Sequence, residues 1–212
     1  MEFRITAPAL TDELTKLRAG DRVLLSGTVY TARDQAHKRM AELIAAGSPL
    51  PFDLSGSAIY YVGPTPEREG EVIGSAGPTT SGRMDLYSPM LIERGNRIMI
   101  GKGRRNAAVK EAMARFGAVY LGAVGGAGAL TAECVTACEI VAWEDLGCEA
   151  VRKLTVRDLP LTVVCDCAGG DLYDAGPESY LKSLSSSSDA SDPSDPSDPS
   201  DPSDKTGRKV CE

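Results

Sequence analysis

Apolar and polar positions alternate in short runs along the first 180 residues, broken by turns rich in Gly and Pro. Arg22–Tyr30 carries the β-branched and apolar content of a strand, and the spacing predicts a helix directly after it. Thr31 stands where a hydroxyl can cap free amide groups, and Asp34 suits the first turn of a helix. Ala36, Met40, Leu43 and Ile44 then recur at helical spacing until Gly47-Ser48-Pro49 stops the run. Ala58–Val62 reads as a strand ending at Gly63-Pro64. A second helix is expected from about Met84 to Arg94, a strand at Arg97–Ile100, a helix at Ala107–Phe116 and a strand at Val119–Val124. Glu139–Trp143, Val151–Val156 and Leu161–Cys165 read as three further strands. Helices recurring between more numerous strands predict a mixed α/β domain built in layers.

This pattern stops at about Leu181. A serine run gives way to Ser-Asp-Pro repeated from Ser191. Proline at every third position removes backbone donors, and almost nothing apolar is left to bury. One folded domain is therefore expected over residues 1–181 and a disordered tail over 182–212. The formal charge of −7 is unevenly placed, because residues 183–212 hold seven acidic and three basic side chains. A negative total argues against nucleic acid as a partner, since phosphates need clustered Lys and Arg. No run approaches the roughly 18 apolar residues of a membrane span. Met1-Glu2-Phe3-Arg4 lacks the pattern of a secretory signal. Six cysteines at irregular spacing suit a reducing cytoplasm better than a disulfide scaffold.

The candidate chemistry lies in basic residues near turns. Arg33 falls at the start of a helix, Arg83 follows a turn of Gly, Pro, Thr and Ser, and Lys102 stands between Gly101 and Gly103 after a strand. Singly, each reads more simply as a solvated charge. Together they mark places where one element hands over to the next, the usual position of ligand-contacting groups. Cations converging there would suit a dicarboxylate, which guanidinium forks pair with bidentately. Thr79 and Thr80, within Gly77-Pro78-Thr79-Thr80-Ser81-Gly82, read equally as a turn bonding its own backbone or as hydroxyls facing an anion.

Other chemistries fit less well. Gly101-Lys102-Gly103 lacks the spacing and the following Ser or Thr of a phosphate loop, and Gly122 to Gly128 misses a dinucleotide fingerprint. His37 is the single histidine, with nothing beside it to mark a nucleophile, so it reads as a surface or packing residue. Cys134 and Cys138 are four apart on a possible helix, and Cys165 and Cys167 flank Asp166; neither pair has zinc-site spacing, and both read as structural thiols.

Four segments carry a resemblance. Leu25-Ser26-Gly27-Thr28-Val29-Tyr30-Thr31-Ala32-Arg33-Asp34-Gln35-Ala36-His37-Lys38-Arg39 resembles the opening signature of the β subunit, or C-terminal domain, of class I iron–sulfur fumarate hydratase. Gly77 to Asp85 is similar to its second signature, Ile100 to Gly103 to its third, and Tyr120 to Gly126 to its fourth. The likeness runs in the expected order from about Gly20 to Asp171. It implies a swivelling β/β/α three-layer domain and the reversible hydration of fumarate to (S)-malate. It also implies a cytoplasmic hetero-oligomer with an α subunit that carries the [4Fe-4S] cluster. By motif position, Arg33, Arg83 and Lys102 resemble the cations that hold the substrate carboxylates. Thr79 resembles the base that removes the C3 proton, and Thr80 a substrate contact. No activator for Thr79 is evident in the chain. Where many fumarases have Asn-Arg-Ser after the third signature, this chain has Arg104-Arg105-Asn106, an extra cation that reads as surface decoration or as a tuner of substrate choice. Tartrate dehydratase β subunits share most of these signatures, although Thr31-Ala32-Arg33-Asp34 is the more fumarase-like. A free-standing, non-catalytic anion-binding domain is the competing class.

Overall fold

Alternate burial along the strands organises the molecule. The computed structural model describes residues 1–187. Seven strands form one mixed sheet: β1 Glu2–Ala7, β2 Arg22–Thr31, β3 Ala58–Tyr60, β4 Ile98–Gly101, β5 Val119–Gly122, β6 Val135–Ala142 and β7 Val151–Cys165. Strands β1 to β5 pair in parallel, and β7 runs antiparallel to β2, β5 and β6. Since β2 pairs with both β3 and β7, and the run β3-β4-β5 also ends on β7, the pairings close on themselves. Ala58, Tyr60, Ile98, Ile100, Val119 and Leu121 point to one buried cluster, with β2 and β7 supplying Val23, Leu25, Leu159, Leu161 and Val163. Ile59, Tyr61, Met99 and Tyr120 point the other way, against α2 (Asp34–Ala45), α3 (Ser88–Glu93) and α4 (Ala107–Phe116). Burial on both faces explains why Ala58–Val62 reads as an unbroken apolar run.

The differences from the pattern have local causes. The two strands expected at Val151–Val156 and Leu161–Cys165 are one continuous β7. Between them the chain kinks rather than turns. Asp158 takes a left-handed φ of 50°, and its N–H donates to Ser26 Oγ at 3.0 Å, where the β2 register shifts. Thr31 is not the cap of α2. It is fully buried, its hydroxyl donating to Ala150 O at 3.2 Å and accepting from Arg152 N at 2.9 Å, so it ties the end of β2 to the start of β7. Arg33 occupies the cap position, with no capping side chain. The helix expected over Met84–Arg94 is a 3-10 turn at Ser81–Met84 and then α3, which begins at Pro89's neighbour Ser88.

For α4 the expectation holds to the residue: Asn106 accepts from Val109 N at 3.0 Å, and Gly117 closes the helix at φ 67°. Strand β1, the short helices α1 (Thr11–Leu14) and α5 (Gly128–Glu133), and a 3-10 turn at Glu144–Glu149 were not expected. Cys134 follows α5 while Cys138 lies on β6, so the two do not share a helix. Helix α6 spans Leu172–Ser187 and so runs past the boundary expected at 181; residues 188–212, with the Ser-Asp-Pro run, lie outside the described residues. Among the described residues no helix is long and apolar enough to cross a membrane.

Candidate functional site

Three neighbouring parallel strands deliver the candidate residues to one edge of the sheet. Arg33 follows β2, the segment Thr79–Arg83 ends the long connection after β3, and Lys102 follows β4. In parallel sheets ligands bind at such carboxyl ends. A short backbone ladder joins the second and third segments. Thr79 N–H donates to Tyr61 O at 2.8 Å, Lys102 N–H to Thr79 O at 3.2 Å and Ser81 N–H to Lys102 O at 2.8 Å, so that Thr80 bridges to Lys102. This approach requires Gly101, where a Cβ would lie 2.1 Å from Ser81 Oγ.

Side chains complete the link. The Arg83 guanidinium donates to Thr79 Oγ1 and lies 3.2 Å from Asp34 Oδ2. That same oxygen is 3.9 Å from Arg33 Nε, and Arg33 Nη2 is 3.6 Å from Glu149 Oε1. Glu149 also accepts the Gln35 N–H at 2.9 Å, which pins the 3-10 turn to the start of α2. Arg33 lies directly against Gly63, where a Cβ would meet its Nη1 at 2.5 Å. Its buried Nε has no hydrogen-bond partner among the described residues. Lys102 is exposed and makes no ion pair among them. Arg33, Thr79, Thr80, Arg83 and Lys102 are thus brought together. Arg33 and Arg83 face Asp34 and Glu149, and Lys102 adds a charge unpaired among the described residues, so the edge carries a positive excess that favours an anion.

Asp34 and Glu149 belong to this arrangement without having been singled out in the sequence. Asp34 stood out only as a first-turn acid, and Glu149 arrives from a distant turn that no spacing rule connects to Arg33. The Arg104-Arg105-Asn106 departure also has a structural reading. Arg105 is 4% exposed. Its Nε donates to Asp85 Oδ1 at 2.7 Å, its Nη2 donates to Ser88 Oγ at 2.7 Å, and it stacks on Tyr61 and Tyr120. Asp85 also accepts the Asn106 N–H at 2.7 Å. The cation added relative to Asn-Arg-Ser is Arg104, which lies exposed as surface decoration would, whereas Arg105 is buried. It braces the floor beneath both site loops, while Arg104 pairs outward with Asp174.

His37 sits behind Arg33 in the core. Its Nδ1–H donates to Arg33 O at 2.9 Å, its ring meets Tyr61 edge-on at 5.3 Å, and its Nε2 has no partner among the described residues. Burial pushes its pKa down to about 4; nearby Arg105 adds to this, while the bond to Arg33 and the Asp34 carboxylate oppose it. The imidazole is neutral at neutral pH and serves packing. Burial also pushes the Cys165 thiol up to about 12, so it is inert. Five cysteines are free among the described residues, and among those residues no three His, Cys, Asp or Glu side chains converge to hold a metal ion. A cavity of about 370 Å³ lies between Thr65–Ser75 and α5, and its lining includes none of the five candidate residues.

Comparison with known proteins bears on this geometry. The family model described as Fumarase C-terminus matches residues 2–176. Fumarate hydratase 1, mitochondrial, of Leishmania major is 38% identical over 169 residues, covering 79% of this chain and 31% of that protein. The anaerobic class I fumarate hydratase of Escherichia coli K12 is 39% identical over 163 residues, covering 76% of this chain and 30% of that protein. A Methanocaldococcus jannaschii protein, provisionally named L(+)-tartrate dehydratase subunit beta, is 38% identical over 168 residues and is covered over 86% of its length. The chain spans about a third of the fumarate hydratases it matches and most of the tartrate dehydratase subunit. A family match across nearly the whole described body, on the sheet edge where the cations meet, has one reading: the chain belongs to the fumarase C-terminus family.

Proposed function

We propose that this chain is the β part of a two-part, iron–sulfur-dependent hydro-lyase that interconverts fumarate and (S)-malate. The observation that carries this reading is the convergence of Arg33, Thr79, Thr80, Arg83 and Lys102 at the ends of three adjacent strands in a fumarase-family chain. Guanidinium and ammonium groups set around one point can hold both carboxylates of a four-carbon diacid. Thr79 takes the C3 proton of malate, and the Arg83 guanidinium on its oxygen favours the anionic form that a base needs. The hydroxyl must first give up its own proton, and we place that acceptor on the partner.

The site is open, with Leu86 81% and Val124 72% exposed beside it, and an open site of this kind needs a cover to exclude water. We take that cover to be an α part carrying the [4Fe-4S] cluster, in the cytoplasm. The closed sheet with α2, α3 and α4 on one side is taken as the swivelling β/β/α three-layer domain of that enzyme. A second reading, the β subunit of L(+)-tartrate dehydratase, is favoured by the near end-to-end match with a subunit so named.

Anoxic reconstitution of the full chain with its α partner, followed by assays with malate, fumarate and tartrate, tests both. Turnover of malate and fumarate only by the pair supports the first reading, and turnover of tartrate alone moves the assignment to the second. A pair that carries its cluster and binds dicarboxylates without turnover makes this a non-catalytic anion-binding domain.

A further inference from the structure

We propose that Tyr120 and Tyr173 are positioning residues for Lys102, gripping Gly103 from its two sides. The inference rests on the reading of Lys102 as a substrate cation. The three cations of the site are held in different ways. Arg33 has Glu149 and Asp34 beside it, and Arg83 has Asp34 and Thr79. Lys102 has no ion-pair partner among the described residues. A long side chain on an exposed loop then owes its location to its backbone.

That backbone is held at two points. Gly103 N–H donates to Tyr173 Oη at 3.1 Å, and the Tyr120 hydroxyl donates to Gly103 O at 3.0 Å. The direction of the second bond follows from chemistry, because a carbonyl only accepts. The Tyr120 proton is thereby committed, so the 2.9 Å contact between Ser81 Oγ and Tyr120 Oη has serine as donor. A proton-ordered chain runs from Ser81 through Tyr120 to Gly103 and joins the Thr79 loop to the Lys102 loop. Gly103 has φ +85°, a conformation natural only to glycine, and the two hydroxyls define it from opposite sides. Tyr120 comes up from β5 and is buried. Tyr173 reaches back from the first turn of α6, where its carbonyl accepts from Arg104 Nη2 at 2.8 Å and the Lys110–Asp171 and Arg104–Asp174 pairs tie the strap down.

A kinetic double-mutant cycle in the reconstituted enzyme tests the proposal. Tyr173→Phe and Tyr120→Phe should each raise KM by about 3- to 10-fold, the worth of one hydrogen bond, with a much smaller change in kcat. In a Lys102→Met background the same substitutions should add nothing, since their effect runs through the missing ammonium. Effects that persist in full in that background overturn the proposal. Tyr173→Phe, at the surface, keeps the test valid if loss of the buried Tyr120 hydroxyl unsettles the fold. Amide exchange on the full chain separates this claim from the proposed reaction. The Gly103 amide should exchange about 10-fold faster in Tyr173→Phe, while the Val119 amide is unchanged. Unchanged Gly103 exchange refutes the grip whatever the substrate proves to be. No turnover of any diacid, with Gly103 exchange accelerated, refutes the proposed reaction and leaves the grip standing.

Discussion

On the proposed reading, a single oxygen at Thr79 separates holding a substrate from transforming it. Thr79→Val keeps the volume and leaves Arg33, Arg83 and Lys102 in place. If the hydroxyl acts in the transition state, kcat and kcat/KM should fall together by about 10²- to 10⁴-fold in the reconstituted enzyme. A near-normal kcat moves the base to the partner. On the proposed reading Arg83→Met removes a cation that meets the carboxylate in the ground state, so KM should rise steeply, and kcat should fall as well because Thr79 loses its donor. His37 gives a prediction in pH. Its folded pKa of about 4 lies below the ordinary 6.5, so between these values the unfolded chain binds the extra proton. Its contribution is complete above pH 6.5 and is lost as pH falls towards 4, by about 3 kcal/mol in all. Denaturant unfolding of wild type and His37→Gln should show wild type losing that much more over the window, and parallel pH profiles would contradict the assignment. Arg33, Thr79, Thr80, Arg83 and Lys102 were legible in the sequence because each stands beside a turn. Arg105 was not, since one sequence does not distinguish an arginine that stacks on two buried tyrosines from a solvated one.

Elements decide whether those side chains meet. Gly101→Ala would place a methyl 2.1 Å from Ser81 Oγ, so the Thr79–Ser81 segment must lift off Lys102. The expected outcome is a folded chain whose dicarboxylate affinity drops at least about 10-fold with its partner present, and unchanged binding would show that the ladder is not needed. Arg105→Met acts from below by stranding Asp85, and should cost about 3–5 kcal/mol in denaturant unfolding. The same Arg105→Met with Asp85→Leu should recover part of that loss. Element order from β2 to β5 was readable from periodicity, and α4 to its end residues, because those signals are local. Thr31 was misread as a cap for the opposite reason. Its hydroxyl is consumed by Ala150 and Arg152, far along the chain. The Asp158 kink gave the same lesson, as composition marked a break where tertiary pairing made one strand.

For the whole molecule, the consequence lies in the closing of the pairings through β7. Arg22–Tyr30 pairs with Lys153–Thr162, so a strand made early waits for one made late. A chain synthesised from its N-terminus carries β2 with an unpaired edge until Val151–Cys165 has emerged, and the entropy of closing that long loop is met only then. Such an edge is a template for a neighbouring nascent chain. The site inherits this order of events. Thr31 is fixed by Ala150 and Arg152, so Arg33, two residues on, is set only once β7 has docked. Ribosome-bound chains halted before Val151 should be cut by protease within Arg22–Thr31, whereas chains that have released all of β7 should resist. Early resistance would mean that β2 finds another partner first, and that β7 is a replacement rather than a keystone.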